Sequence, residues 1–269
     1  GDVFLSASEE GIFSAMISKL KEIDEKSGKP LADVGDYLSI GKFFFNKKDY
    51  IKAIEFFDSA IASDSGNYAA WEAKGISFFK SGKPEQALDA LERSLSLKPN
   101  SATAWFYKGE ALGELSRFEE ELASYEKSLS IDDGNPDAWY NMGIVFGNLG
   151  RYEDALKAYD TALKLKPSEP ETWYSRGLAL SYLGVYDEAL KSYERAIEFR
   201  PYDAEAWYGK ALSLSNLGYH KEAIYAYERT IRLKPGAMAW YGKAVCLNIL
   251  GYKDEALNAL NEAIAIKPD

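Results

Sequence analysis

Few groups in this chain could do chemistry, and they are poorly placed for it. There is one histidine, His220, and one cysteine, Cys246, in 269 residues. A lone imidazole makes neither a metal site nor a catalytic pair. Cys246 stands at an interval filled elsewhere by Ser77, Ala111, Val145, Ala179 and Ser213, which predicts a small buried residue and not a nucleophile. The 42 Asp and Glu residues follow helical periods and fall into no calcium-loop spacing. The glycines sit mostly one to a joint, with no phosphate-cradling loop. The expectation is no catalysis, no metal and no cofactor.

What positions these residues is a repeat. The six tryptophans, Trp71, Trp105, Trp139, Trp173, Trp207 and Trp240, are separated by 34, 34, 34, 34 and 33 residues, and Tyr37 lies 34 before the first. Four residues after each aromatic comes Gly41, Gly75, Gly109, Gly143, Gly177, Ala211 or Ala244. Further on come Ala53, Ala87, Ala155, Ala189, Ala223 or Ala256, with Glu121 the exception, and then Pro99, Pro167, Pro201, Pro235 or Pro268, with Ser65 and Asp133 as substitutes. In residues 136–167, Trp139, Gly143 and Phe146 share one helical face, and Ala155, Tyr159 and Ala162 share another. The small residues admit a neighbouring helix closely. Glycine at 82, 150, 184, 218 and 251 ends the first helix, and proline stops the second. Such a hairpin cannot bury its stripe alone, so each packs on the next.

A 34-residue period with these residue types resembles the tetratricopeptide repeat (TPR) family. The resemblance covers residues 34–269 as seven units: 34–67, 68–101, 102–135, 136–169, 170–203, 204–236 and 237–269. It implies an all-α solenoid of helix-turn-helix hairpins wound into a right-handed superhelix. The first helices would line a concave groove that holds a peptide or helix of a partner protein.

By the 3.6-residue period, the positions two before and one, five and eight after the aromatic lie on the groove side. They nominate Phe106, Tyr140, Ile144, Tyr174, Leu178, Tyr208, Leu212, Tyr241 and Val245 as contact residues, with Asp137, Glu171 and Glu205 as an acidic row. The tyrosines also suit packing between first helices, and the acids also suit the helix dipole. A TPR subclass that clamps acidic tails uses lysines, asparagines and an arginine on these faces. Asn141 alone matches in type, while Glu171, Ser175 and Glu205 occupy places that would need cations or amides. A basic or apolar segment is therefore the expected partner. Lys74, Lys108, Arg176, Lys210 and Lys243, three after the aromatic, read as a solvated stripe.

A formal net charge of −10 argues against nucleic acid. No segment is apolar enough to span a bilayer, no signal-peptide pattern opens the chain, and one cysteine fits a reducing compartment, so a cytoplasmic protein is expected. Residues 1–33 stand outside the period. Ile12, Phe13, Met16, Ile17, Leu20 and Ile23 predict an amphipathic helix followed by a linker. It reads either as a half-repeat capping the first unit or as a helix that docks elsewhere, such as in a groove. The 102–135 unit departs most, with Ser116 for glycine, Asp133 for proline and Glu121 for alanine. Glu121 there implies either a local splay that lets the carboxylate reach water or a hinge or polar contact. In the last helix Leu257, Leu260, Ile264 and Ile266 have no following helix to cover them. Either the natural protein continues or this face meets another chain. A structural self-assembly element, or the non-catalytic arm of a larger protein, is thus the alternative to a peptide scaffold.

Overall fold

A computed structural model describes residues 33–266. The helix predicted within residues 1–33, its linker and Pro268 lie outside the described residues. Among the described residues the regular elements are 14 helices: α1 (Val34–Asn46), α2 (Tyr50–Ser63), α3 (Tyr68–Lys80), α4 (Pro84–Leu97), α5 (Ala102–Glu114), α6 (Phe118–Ile131), α7 (Pro136–Asn148), α8 (Tyr152–Leu165), α9 (Pro170–Tyr182), α10 (Tyr186–Phe199), α11 (Ala204–Asn216), α12 (His220–Leu233), α13 (Ala237–Ile249) and α14 (Lys253–Ile266). Side chains of Asp33, Asn67, Ser101, Asn135 and Asp203 accept the free N–H groups that open α1, α3, α5, α7 and α11.

Each pair is closed by one residue in the left-handed region. Gly150 (φ 71°) and its counterparts take this conformation without strain, but Lys48 (φ 62°) joins α1 to α2 and Ser116 (φ 57°) joins α5 to α6, each with a side chain. Ser116→Gly is expected to stabilise the first unit by about 1 kcal/mol, read as a shift of the denaturation midpoint at constant slope. A lower midpoint would contradict this reading of the joint.

The chain divides into two compact units between Ile131 and Asp132. The first holds α1–α6 and the second α7–α14. In each, consecutive helices pack antiparallel and the first helices of successive pairs also meet: α1 with α3 and α3 with α5, then α7 with α9, α9 with α11 and α11 with α13. The odd helices therefore form one face of each unit and the even helices the other.

Between them runs a ribbon of core. Alanines one before the tryptophans, such as Ala70, Ala104, Ala138 and Ala206, are fully buried, as are Ala111, Val145 and Cys246 six after. The tryptophans themselves are only half-buried. In Trp71, Trp105, Trp139, Trp173 and Trp207 the indole N–H donates to the carbonyl of the residue six earlier, at 2.8–3.1 Å. The ring thus ties its helix to the preceding turn as well as filling space.

The cations three after the aromatic differ from the solvated stripe that the sequence suggests. Lys74–Asp58, Lys108–Glu92, Arg176–Asp160, Lys210–Glu194 and Lys243–Glu228 pair at 2.6–2.8 Å, each joining a first helix to the second helix of the preceding pair. Four of these lysines also lie over the adjacent tryptophan ring, at 5.2–5.5 Å. The row braces one hairpin on the next.

Candidate binding face

The largest buried side chains recur at one offset of the repeat: Phe57, Leu91 and Tyr125 in the first unit, and Tyr193 and Tyr227, with Tyr159 in the same register, in the second. Tyr125, Tyr159 and Tyr193 press against Gly109, Gly143 and Gly177 on the first helix of their own pair, and Tyr227 against Gly242 on the first helix of the next. A Cβ built on Gly143 would fall 2.5 Å from the Tyr159 ring, and one on Gly109 2.6 Å from Tyr125. Burial raises the hydroxyl pKa of Tyr159, Tyr193 and Tyr227, that of Tyr193 to about 12.

On top of this row sit the predicted contact aromatics. Phe106 tilts against Tyr125, Tyr140 against Tyr159, Tyr174 against Tyr193 and Tyr208 against Tyr227, with centroids 5.9–6.1 Å apart. These four are half-buried, and burial raises the hydroxyl pKa of the three tyrosines. Phe106 belongs to the first unit; the rest lie in the second. Ile144 and Asn141 on α7 are half-buried, while Leu178, Leu212, Tyr241 and Val245 on α9, α11 and α13 are open, at 36–53% exposure. The odd helices of the second unit thus bring these residues to one side.

Two of the three predicted acids are engaged within their own hairpins. Glu171 pairs with Arg200, just past α10, and Glu205 with Lys234, just past α12, at 2.8 Å for the latter. The Arg200 hydrogen bond holds the Glu171 carboxyl below its ordinary range. Asp137 is exposed at the start of α7, its backbone N–H held by the Asn135 cap. With Glu171 and Glu205 paired and the row of cations turned toward the even helices, the face from Tyr140 to Val245 presents tyrosine, aliphatic, serine and asparagine, with Asp137 exposed at its edge.

Glu121 does not splay outward. It lies buried on α6, its carboxylate 2.7 Å from where a Cβ on Gly113 would stand. Burial, then repulsion from Glu110, lifts its pKa to about 7, partly offset by the Tyr125 hydroxyl. That hydroxyl donates to Glu110 at 3.0 Å. Cys246 is fully buried, and burial pushes its thiol pKa up, which disfavours the thiolate. Among the described residues no group of three or more His, Cys, Asp or Glu could hold a metal ion, and no helix is long and apolar enough to cross a membrane.

Tetratricopeptide repeat models match residues 37–67, 72–136, 136–169, 174–237 and 208–269. The chain belongs to the tetratricopeptide repeat family. The TPR fold is typically a protein-interaction scaffold, and the family is generally non-catalytic. No curated protein matches the sequence. Among solved structures, the C-terminal part of a TPR protein from Cytophaga hutchinsonii is similar at 19% identity, covering 86% of this chain and 95% of that one with a TM-score of 0.71. YrrB, described as a TPR protein with an unusual peptide-binding site, is 22% identical, covering 72% and 97% with a TM-score of 0.64. MamA is 25% identical, covering 62% and 97% with a TM-score of 0.57.

Sequence reasoning passes over two features of the TPR face. One is the buried ring row beyond Tyr159, which carries the same 34-residue signal as the tryptophans. The other is Tyr182, which lies beyond the last predicted contact on α9 and stacks on Tyr152 at 4.7 Å and 7°. No periodic signal marks that pair, because the equivalent positions one repeat earlier are Asn148 and Phe118.

Proposed function

We propose that the protein is a non-catalytic scaffold that holds a segment of a partner protein against the odd-helix face of its second unit. The observation that carries this is the continuous tyrosine–aliphatic surface on α7, α9, α11 and α13, with Leu178, Leu212, Tyr241 and Val245 open to solvent. Tyrosine suits a surface with one wet side. The peptide-binding site named for YrrB gives the reading a parallel at the level of fold. With Glu171 and Glu205 already paired, the apolar arm of the basic-or-apolar expectation is the stronger one. The net charge of −10 makes nucleic acid an unsuitable partner, and the lone buried cysteine suits the cytoplasm. Residues 34–269 read as seven successive repeats.

Because Tyr140, Tyr174 and Tyr208 also support the buried rings, their removal would confuse folding with binding. The better test is the triple variant Leu178→Gln, Leu212→Gln and Val245→Gln, compared with the unaltered protein in capture from native lysate with mass spectrometry. Partner recovery is expected to fall at least about tenfold at unchanged helicity. Undiminished recovery would remove the face from consideration.

A second reading rests on α14, where Leu257, Leu260, Ile264 and Ile266 are exposed along the helix. A second copy covering this row would make the protein a self-assembling element. Light scattering showing a monomer at high concentration would contradict it.

A further inference from the structure

We infer that the bound segment carries an uncharged aliphatic or aromatic anchor, which seats in a recess between α7 and α9. This rests on the scaffold reading above and narrows it to a place and a ligand chemistry. The recess has a volume of about 330 Å³, at the low end of the ~300–1,000 Å³ of ligand pockets. Ile144 and Gly147 form one wall, Leu178 the other and Tyr159 the floor. The stacked rings of Tyr152 and Tyr182 make one rim, and Tyr182 is 64% exposed.

The chemistry of the lining selects the guest. None of the residues around the recess is ionic. The polar groups at its floor are uncharged hydroxyls: Ser175 stands beside those of both Tyr140 and Tyr159, and burial raises the pKa of each tyrosine. A charged guest would lose water and gain no counter-charge, which is strongly unfavourable. An apolar side chain removes aliphatic and ring surface from water at no such cost. Asn148, exposed at the mouth, has an amide available to the segment's backbone.

The opening depends on Gly147. A Cβ built there meets only the Tyr159 hydroxyl, at 4.0 Å, so the glycine is not needed for packing. At the equivalent place in the first unit, Gly113 is covered by the Glu121 carboxylate. One repeat after Gly147 the position is Ser181, whose hydroxyl donates to the Gly177 carbonyl. Of these three repeats, the one with Gly147 leaves the space unfilled.

A Cβ at position 147 meets no clash, and Gly147→Leu places an aliphatic side chain at the recess while replacing a poor helix former by a good one, so thermal stability is expected to hold or rise. Random peptides displayed on phage would be selected on the unaltered protein, and the winners resynthesised with blocked termini for fluorescence anisotropy. Selected peptides are expected to share a Leu, Ile, Met or Phe anchor without an adjacent charge. Gly147→Leu is expected to weaken them at least about tenfold, as loss of one buried apolar side chain implies. If Leu212→Gln with Val245→Gln weakens binding but Gly147→Leu does not, the recess is wrong and the face stands. Anchors enriched in Lys, Arg, Asp or Glu overturn the inference. Peptides indifferent to both variants, or no enrichment at all, overturn it together with the scaffold reading.

Discussion

Tyr193→Ala is expected to lower the stability of the second unit by about 3–5 kcal/mol, the range for removing a large buried aromatic. The ring is 2% exposed and wedged between two helices. A Cβ built on Gly177 would fall 2.9 Å from it, and one on Gly209 of the next hairpin 2.5 Å. Those glycines have no side chains to collapse into the vacated space, so the cavity persists. The hydroxyl contributes little by comparison: it meets Ser181 at 3.2 Å, and Tyr193→Phe is expected to cost about 0.5–1.5 kcal/mol. Because each repeat is held mainly by its neighbours, amide exchange in α9, α10 and α11 should accelerate before that in α13 and α14. An alanine variant within about 1 kcal/mol of the unaltered protein would refute the account of the ring row.

Raising the pH from about 4.5 to about 7 is expected to destabilise the first unit by roughly 3 kcal/mol through Glu121 alone, at about 1.4 kcal/mol per tenfold change in proton affinity. The folded-state pKa, about 7, lies above the ordinary value of 4.5. The folded form thus binds the proton more tightly, its advantage is complete below the ordinary pKa, and that advantage disappears as pH climbs through the raised one. Groups facing the carboxyl are Glu110 and the Tyr125 hydroxyl, over Gly113. Glu121→Gln keeps the shape and removes the proton. Denaturation midpoints of the two proteins should diverge with rising pH, the variant becoming relatively more stable. Parallel profiles across this window would show that Glu121 is not desolvated as described.

Much of this was legible in the sequence, because one-dimensional repetition writes three-dimensional packing at fixed offsets. The tryptophans, the small residues four later and the joint glycines announce hairpins, and Ser116 marks a joint that departs from glycine. The burial of Cys246 follows from what stands at its offset in other repeats. Partner choice was harder to read. The lysines three after the aromatic look solvated on their own helix, and only packing brings Asp58, Glu92, Glu194 and Glu228 within reach. Glu171 and Glu205 look like a ligand row until Arg200 and Lys234 fold back from the ends of the second helices. The splay that the sequence suggests for Glu121 does not form, because the space left by Gly113 accepts its carboxyl. The recess beside Gly147 needs Tyr152 and Tyr182 brought together from successive hairpins, and no spacing rule announces that.

The central claim is that the partner lies on the odd-helix face. Site-specific photocrosslinking inside the native cells tests it most directly. A benzophenone side chain would be placed at Tyr241 on that face and, separately, at Tyr225, which is exposed on α12 among the even helices. The account predicts a partner adduct from position 241 and none from position 225. An adduct from position 225 alone, or from neither, would contradict it.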